Sequence, residues 1–509
     1  MFRFALAVSL CAAALTGCAT SPSRSVAGPV TPIQAGDSYY ASAHAAVGRR
    51  AAERGSQKAK NLILFIGDGM GVSTVTAARI WAGQAKNVDG ESYRLAMEKL
   101  PYSAFSKTYT HDSQVADSAP TATAMTTGVK SFNGTLGVTQ GLTLGKCETA
   151  AANATLSLWA IAEDAGLATG VVSTARLTHA TPAATYAITS ERDWESDADV
   201  SPAGKAAGCI DIASQLLAWD HGDGPEVVLG GGRQNFLPET MADPEYAAQK
   251  GRRKDGRNLL DEWKARGPAR VVITDDAGFR ATDFNSNVQV LGLFEPSHMQ
   301  YEADRSRDGK GEPSIADMTM AAITRLSRNA GGYVLMVEGG RIDHALHAGN
   351  ASRALSDAAA LDDAVAAAVA ATDPSDTLII VTADHSHTLM IQGYPERGNP
   401  ILGLVREGGR LALGRDGKPY ATLGFANGPG SICKPQPDQS WRCENPDLTS
   451  TDTTALDFVQ PALTPLASET HGGEDVAVFA GGPGANLFSG VIEQNEIFHV
   501  MAQALRLVK

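Results

Sequence analysis

Residues 62–71 read LILFIGDGMG: five consecutive apolar side chains, Leu62 to Ile66, followed by Gly67 and Asp68. An unbroken apolar run closed by glycine is how a strand buried on both faces reads, and such strands belong to parallel sheets covered by helices. The acid falls at the carboxyl end of the strand.

The same grammar recurs along the chain. Gly170 to Thr174 leads to His179, Tyr333 to Val337 ends at Glu338, Thr377 to Thr382 ends at Asp384 and His385, and His471 directly precedes Val476 to Phe479. Helical stretches lie between them, Leu156 to Asp164, Pro313 to Arg328 and the alanine-rich Ala351 to Thr372, so the alternation predicts an α/β sheet. Ligands of open α/β sheets bind at the carboxyl ends of strands, and three separate acids there point to one site. Although 509 residues would ordinarily make two or three domains, the pattern runs across most of the length. One large domain with an insertion is expected.

Ser118 lies in VADSAPTATAMTTG, just before Pro120 and a run of small residues that closes at Gly128. Proline near the first turn and glycine past the last are helix start and stop signals, so Ser118 should sit at a helix N-terminus. Free backbone N–H groups and the helix dipole there suit a phosphate or another oxyanion. The plainer reading is an N-cap.

In EGGRIDHALHAG, Glu338 ends its strand, and Asp343 and His347 are four apart in what should become a helix, so both project from one face and can share a metal. The plainer reading is a surface ion pair. ADHSH brings Asp384, His385 and His387 to another strand end, where polar caps would be the plainer reading. Carboxylate with imidazole is a ligand set that zinc prefers, and two such pairs plus His471 would furnish two zinc sites.

The first residues, MFRFALAVSLCAAALTGCAT, hold one arginine and an apolar run from Phe4 to Leu15, too short to cross a bilayer. They read as a signal peptide over 1–17 whose last four residues, Leu15 to Cys18, are similar to the lipobox of bacterial lipoproteins, implying cleavage before Cys18 and lipid on its thiol. Soluble export is the alternative. The expected location is outside the cytoplasm, as an outer-membrane or periplasm-facing lipoprotein anchored through Cys18. Residues 18–36, rich in Ser, Pro and Gly, are expected to be a tether. Asp37 should then cap a helix through AHAAVGRRAAERG.

Cleavage would remove one base, Arg3, and no acid, making the formal charge of −13 one unit more negative. That balance argues against nucleic acid as the main partner. Cys147, Cys209, Cys433 and Cys443 remain, an even number in an oxidising compartment, and chain proximity favours Cys147–Cys209 and Cys433–Cys443 pairs. No C-x-x-C pair supports a zinc-thiolate site.

Taken together, FIGDGMG, DSAPTATAMTTGVKSFNG, HATPAATYA with ERDW, LFEP, EGGRIDHALHAGNA, VTADHSH and HGGEDVAVFA resemble the alkaline phosphatase family, in family order, from about Asn61 to the C-terminus. The resemblance implies a three-layer α/β/α fold with a central, mostly parallel sheet, the catalytic domain spanning 37–391 and 459–509. Residues 392–458, richer in Gly and Pro, resemble the family's small crown-like insertion. It further implies hydrolysis of phosphate monoesters, and a homodimer.

Roles follow residue by residue from the same resemblance. Ser118 would be the nucleophile, forming a covalent phosphoserine that water hydrolyses. Asp343, His347 and His471 would hold one zinc; Asp68, Asp384, His385 and Ser118 a second; Asp68, Thr181 and Glu338 a magnesium. Arg192 would grip two phosphate oxygens, which its planar fork suits, with Asp117 orienting it. The ions would bring six positive charges against four carboxylates and the serine alkoxide, so they and not the acidic surface would set the local field.

His179 and His344 stand where the best-known enterobacterial form has Asp and Lys, as in the animal enzymes. They and His387 are expected to support the ligands from behind. Glu245, Phe294 and Glu295 of LFEP, and Glu312 resemble the calcium site of the animal branch, with carboxylates and a backbone carbonyl suited to a hard cation. Two rival functions fit less well. A sulfatase or phosphodiesterase could use a related metal-rich α/β site, but a sulfatase would carry an arginine where Ala122 follows Ser118-Ala119-Pro120-Thr121, and a non-catalytic binding lipoprotein would be expected to leave a gap in the site.

Overall fold

The structure, a computed structural model, describes residues 28–509. The signal peptide and Cys18 therefore lie outside the described residues. The run at Leu62 forms strand β1 (Asn61–Gly67), at the middle of a sheet of ten strands. Seven more are β2 (Tyr102–Lys107), β3 (Ala168–Arg176), β4 (Val227–Gly231), β5 (Arg270–Ile273), β6 (Gln289–Leu293), β7 (Tyr333–Gly339) and β8 (Thr377–Ala383). With Val476–Gly481 and Val491–Glu493, the spatial order is Val491–Glu493, β2, Val476–Gly481, β8, β1, β7, β3, β4, β6, β5. Every pairing is parallel except those of Val476–Gly481 with β2 and β8.

The unbroken apolar runs have a direct cause. Leu62, Leu64 and Ile66 enter one hydrophobic core and Ile63 and Phe65 the other, because successive side chains of a strand point to opposite faces. Likewise Val334 and Met336 of β7 face one core, and Tyr333, Leu335 and Val337 the other. Helices cover both faces. Glu496–Leu505 packs on one side, and Ala351–Ala371, through Leu355, Leu361 and Val365, on the other. The structure thus has the expected three-layer α/β/α form.

Helix α1 (Ser38–Arg54) is capped by Asp37, which accepts from the backbone N–H of Tyr39 and Tyr40. The preceding stretch departs from a tether. Val30 bridges to Val508, and Gln34 is buried, its amide donating to the carbonyls of Thr127 and Leu156. Those hydrogen bonds fix residues 30–36 to the body of the protein. Leu389–Ile391, Leu423–Gly428 and Ala462–Pro465 form a separate small sheet, with strands from inside 392–458 and from just beyond it at both ends. Both expected disulfides, Cys147–Cys209 and Cys433–Cys443, are present. Among the described residues no helix is long and apolar enough to cross a membrane.

Candidate active site

The carboxyl ends of β1, β7 and β8 lie side by side, with Gly67 opposite Gly339 and Ala383 in register. Asp68, Glu338 and Asp384 therefore converge, all fully buried. The β1 turn demands glycine: Gly69 has φ +67°, a side chain there would strike His387, and its N–H donates to Asp384 Oδ1 at 3.0 Å.

Ser118 opens helix α2 (Ser118–Thr127), which ends at Gly128 with φ +82°. The cap is Asp117, whose Oδ1 accepts from Ala119 N–H at 2.8 Å. That leaves the serine hydroxyl free for chemistry. Ser118 Oγ lies 3.1 Å from His385 Nε2 and 3.5 Å from Asp68 Oδ1. His385 Nε2 is in turn 3.4 Å from Asp68 Oδ1 and 3.3 Å from Asp384 Oδ2. A second group lies beside this one. His347 Nε2 and His471 Nε2 are each 3.4 Å from Asp343 Oδ1 and 3.1 Å from one another. The His385 and His471 rings stack with centroids 3.6 Å apart, which joins the two groups.

These spacings fit metal binding. Nitrogen and oxygen ligands at roughly 2.0–2.1 Å from a tetrahedral ion must lie roughly 3.3–3.4 Å apart. The tautomers agree, since His347 Nδ1 and His471 Nδ1 each donate at 2.6 Å to a backbone carbonyl, of Glu469 and Ala116. In the neutral rings both Nε2 lone pairs are then bare and face one another.

A third group has the same character. Asp68 Oδ2, Thr181 Oγ1 and Glu338 Oε1 are buried with no hydrogen-bond partner. Ser173 holds the other oxygen of Glu338. Orphaned oxygens of this kind are costly unless a cation or water meets them. The electrostatics point the same way. Burial, then Asp384, Asp343 and Glu338, raise Asp68 well above the carboxylate range, while Arg192 acts against this. Burial pushes Glu338 up to about 7, with Asp384 and Asp343 adding to it. The site is built to receive positive charge.

Arg192 reaches in from the loop after the short helix Ala180–Ala183, pairing through Nη1 with Asp117 Oδ1 and through Nη2 with His179 Nε2 at 3.1 Å. A guanidinium only donates, so neutral His179 keeps its proton on Nδ1. His344 packs on His179, with ring centroids 5.4 Å apart. His387 stands behind Asp343, donating from Nε2 to Oδ1 at 2.7 Å, with Nδ1 against Glu469 Oε2. Burial opposes its charge, but the hydrogen bonds to Asp343 and Glu469 prevail and bring it to about 9.

Two residues here carried no sequence signal. Glu469, buried two positions before His471, accepts from His387 and from both the N–H and hydroxyl of Thr388, while its own N–H donates to the carbonyl of His347. His298 packs against His344, with ring centroids 4.0 Å apart. At the acidic cluster near LFEP, Glu245, Glu295 and Asp308 bring oxygens within 4.8 Å of one another. Asp308 joins the expected residues there. Glu312 is buried beside them, with Oε1 taken by Gln300 N–H at 3.0 Å and Oε2 without a hydrogen-bond partner, and the Phe294 side chain is part of the core.

A serine at a helix start, set among clustered imidazoles and carboxylates at the carboxyl edge of an α/β sheet, defines a metal-dependent hydrolase acting on an oxyanion ester. The sequence profile described as "Alkaline phosphatase" matches residues 59–507. The tissue-nonspecific alkaline phosphatase of Gallus gallus is 45% identical over 452 residues, covering 88% of this chain and 84% of the relative. The human isozyme is 43% identical over 452 residues, covering 88% and 83%. Among solved structures, Thermus thermophilus alkaline phosphatase superposes with a TM-score of 0.62 at 26% identity, covering 89% of this chain and 92% of that one. The chain belongs to the alkaline phosphatase family, and its activity is the hydrolysis of phosphate monoesters.

Proposed function

We propose that the reaction runs through a covalent phosphoserine on Ser118, with zinc held by Asp343, His347 and His471, zinc held by Asp68, Asp384, His385 and Ser118, and magnesium held by Asp68, Thr181 and Glu338. The observation that carries this reading is the pair of adjacent ligand groups with edges of 3.1–3.5 Å, one of them at the Ser118 hydroxyl and the other joined to it through the stacked His385 and His471 rings. Divalent ions there supply the Lewis acidity that makes a hydroxyl nucleophilic and offsets charge on the leaving oxygen.

Within that frame the chain's own residues do the following. Arg192, aligned by Asp117, takes two phosphate oxygens on its fork and turns the phosphorus toward Ser118. Ser118 Oγ, freed from capping, forms the new P–O bond as the ester P–O bond breaks. Water then attacks the phosphoserine and returns the hydroxyl. His179 and His344 line the magnesium group without ligating, consistent with the His179 proton on Nδ1, and His387 holds Asp343.

Calcium on Glu245, Glu295, Glu312 and the Phe294 carbonyl is supported by the acidic oxygens that gather there, joined by Asp308. A homodimer is supported by exposed Val72, Phe105 and Val491, which line one groove of about 430 Å³. Lipid on Cys18, export to a membrane surface, and division into a catalytic domain (37–391, 459–509) and a crown-like insertion (392–458) rest on the sequence.

The test compares p-nitrophenyl phosphate, its bis-ester and the corresponding sulfate, with and without chelator, alongside elemental analysis after dialysis. Turnover of the monoester that chelation abolishes and Zn²⁺ with Mg²⁺ restores is expected. Dominant turnover of the bis-ester or sulfate, or bound metals other than these, would contradict it.

A further inference from the structure

The segments bearing His179 and Arg192 meet at two points. The inner one is the hydrogen bond from Arg192 Nη2 to His179 Nε2. The outer one lies three residues before His179 and three after Arg192, where Arg176 and Glu195 pair, so the segments run in opposite senses. Arg176 Nε donates to Glu195 Oε2 at 2.7 Å and Nη2 to Oε1 at 2.5 Å.

Neither partner stops at the other. Glu195 also accepts from Thr178 Oγ1 at 2.5 Å and Asn235 Nδ2 at 3.1 Å. Arg176 Nη1 donates to Ser297 Oγ at 3.2 Å, and His298 lies against Arg176 at both ring nitrogens, Nε2 beside Nη1 and Nδ1 3.2 Å from the backbone N–H, of which a neutral ring accepts at one. The His298 ring meets His179 nearly edge-on, with centroids 5.3 Å apart. Two routes therefore lead from the outer pair to Arg192: three residues of backbone from Glu195, and the rings of His298 and His179.

A bidentate guanidinium–carboxylate pair fixes distance and angle together. A pair of this kind is a poor device for stability alone, because apolar side chains of similar volume would serve as well. It suits a place where a loop must hold one geometry. Arg192 is such a place, because a fork must meet two phosphate oxygens at once, and misplacement on the order of 1 Å can cost about 100-fold.

We propose that the Arg176–Glu195 pair, braced by His298, is the positioning device for Arg192, setting where its guanidinium meets phosphate. The proposal rests on the reading of Arg192 as the phosphate grip, which the same experiment tests separately.

The experiment is a double-mutant cycle on the metal-loaded enzyme, reading kcat, KM and the inhibition constant of inorganic phosphate for wild type, E195Q, R192A and the double variant, with zinc content and Tm checked for each. E195Q keeps an acceptor for Thr178 and Asn235 but loses the charged fork. It should weaken phosphate and lower kcat/KM by about tenfold or more in the wild-type background, and by less than about twofold once Arg192 is gone. Equal losses in both backgrounds, or none in the first, would overturn the proposal. If R192A alone leaves phosphate inhibition unchanged, the grip reading fails and the positioning role falls with it. R176K, which keeps the charge without the fork, runs the same cycle and must show the same dependence on Arg192, so the outcome does not hang on how one variant folds.

Discussion

His347 Nε2 and His471 Nε2 point at one another across 3.1 Å while the Nδ1 of each ring donates to a backbone carbonyl. With the protons so assigned, neither nitrogen can donate to the other, and the contact is favourable only with a cation shared between them. Removing either ring should therefore empty one ion site and leave its neighbour. We expect His347→Ala and His471→Ala each to lower bound zinc from about two ions per chain to about one and to abolish most turnover. Elemental analysis with activity checks this, and an unchanged zinc count would refute it.

Glu469 joins the segment bearing His471 to His387, Thr388 and His347. A partner that orients a ligand from behind is worth about 10–100-fold in metal affinity. Glu469→Gln should weaken zinc by that amount, read from competition with a chelating dye. The same affinity in both proteins would show that the carboxylate does not support Asp343.

Far from the site, at the start of β3, burial raises a glutamate pair, helped by Glu226 acting on Glu163 and by Asp223 acting on Glu226: Glu163 to about 9 and Glu226 to about 7, both in contact with Thr169. The folded protein holds these protons more tightly than the unfolded chain, so their contribution is complete below the ordinary glutamate value. It is lost as pH rises through about 7 and then about 9. Wild-type Tm should fall across that window, and Glu163→Gln should fall less steeply. Parallel curves would contradict the assignment.

The parts of this molecule legible in the sequence are those where one physical cause dominates. β1, β7 and β8 are buried on both faces, so their composition is unambiguous, and the ligands at their ends could be located at once. Strand β2 reads YSAFSK and is largely exposed, with nothing to distinguish it from a loop. The antiparallel sense of Val476–Gly481 is a property of the connection and leaves no mark in composition. Glu469 and His298 act through partners distant in sequence, His387 at 82 residues and Arg176 at 122, and neither lies in a run whose period could single it out. Asp308 joins the acidic cluster from a loop whose composition does not mark it out from other surface acids.

The central claim is that Ser118 carries the phosphoryl group. Rapid acid quench during turnover of p-nitrophenyl phosphate, followed by peptide mass spectrometry, tests it most directly. The account predicts a phosphate ester on Ser118 in the metal-loaded enzyme, absent after chelation, and in Ser118→Ala no ester, bound metals retained and turnover lower by at least about 10³-fold. Sustained turnover with no phosphate on Ser118, or near-normal activity in that variant, would contradict it.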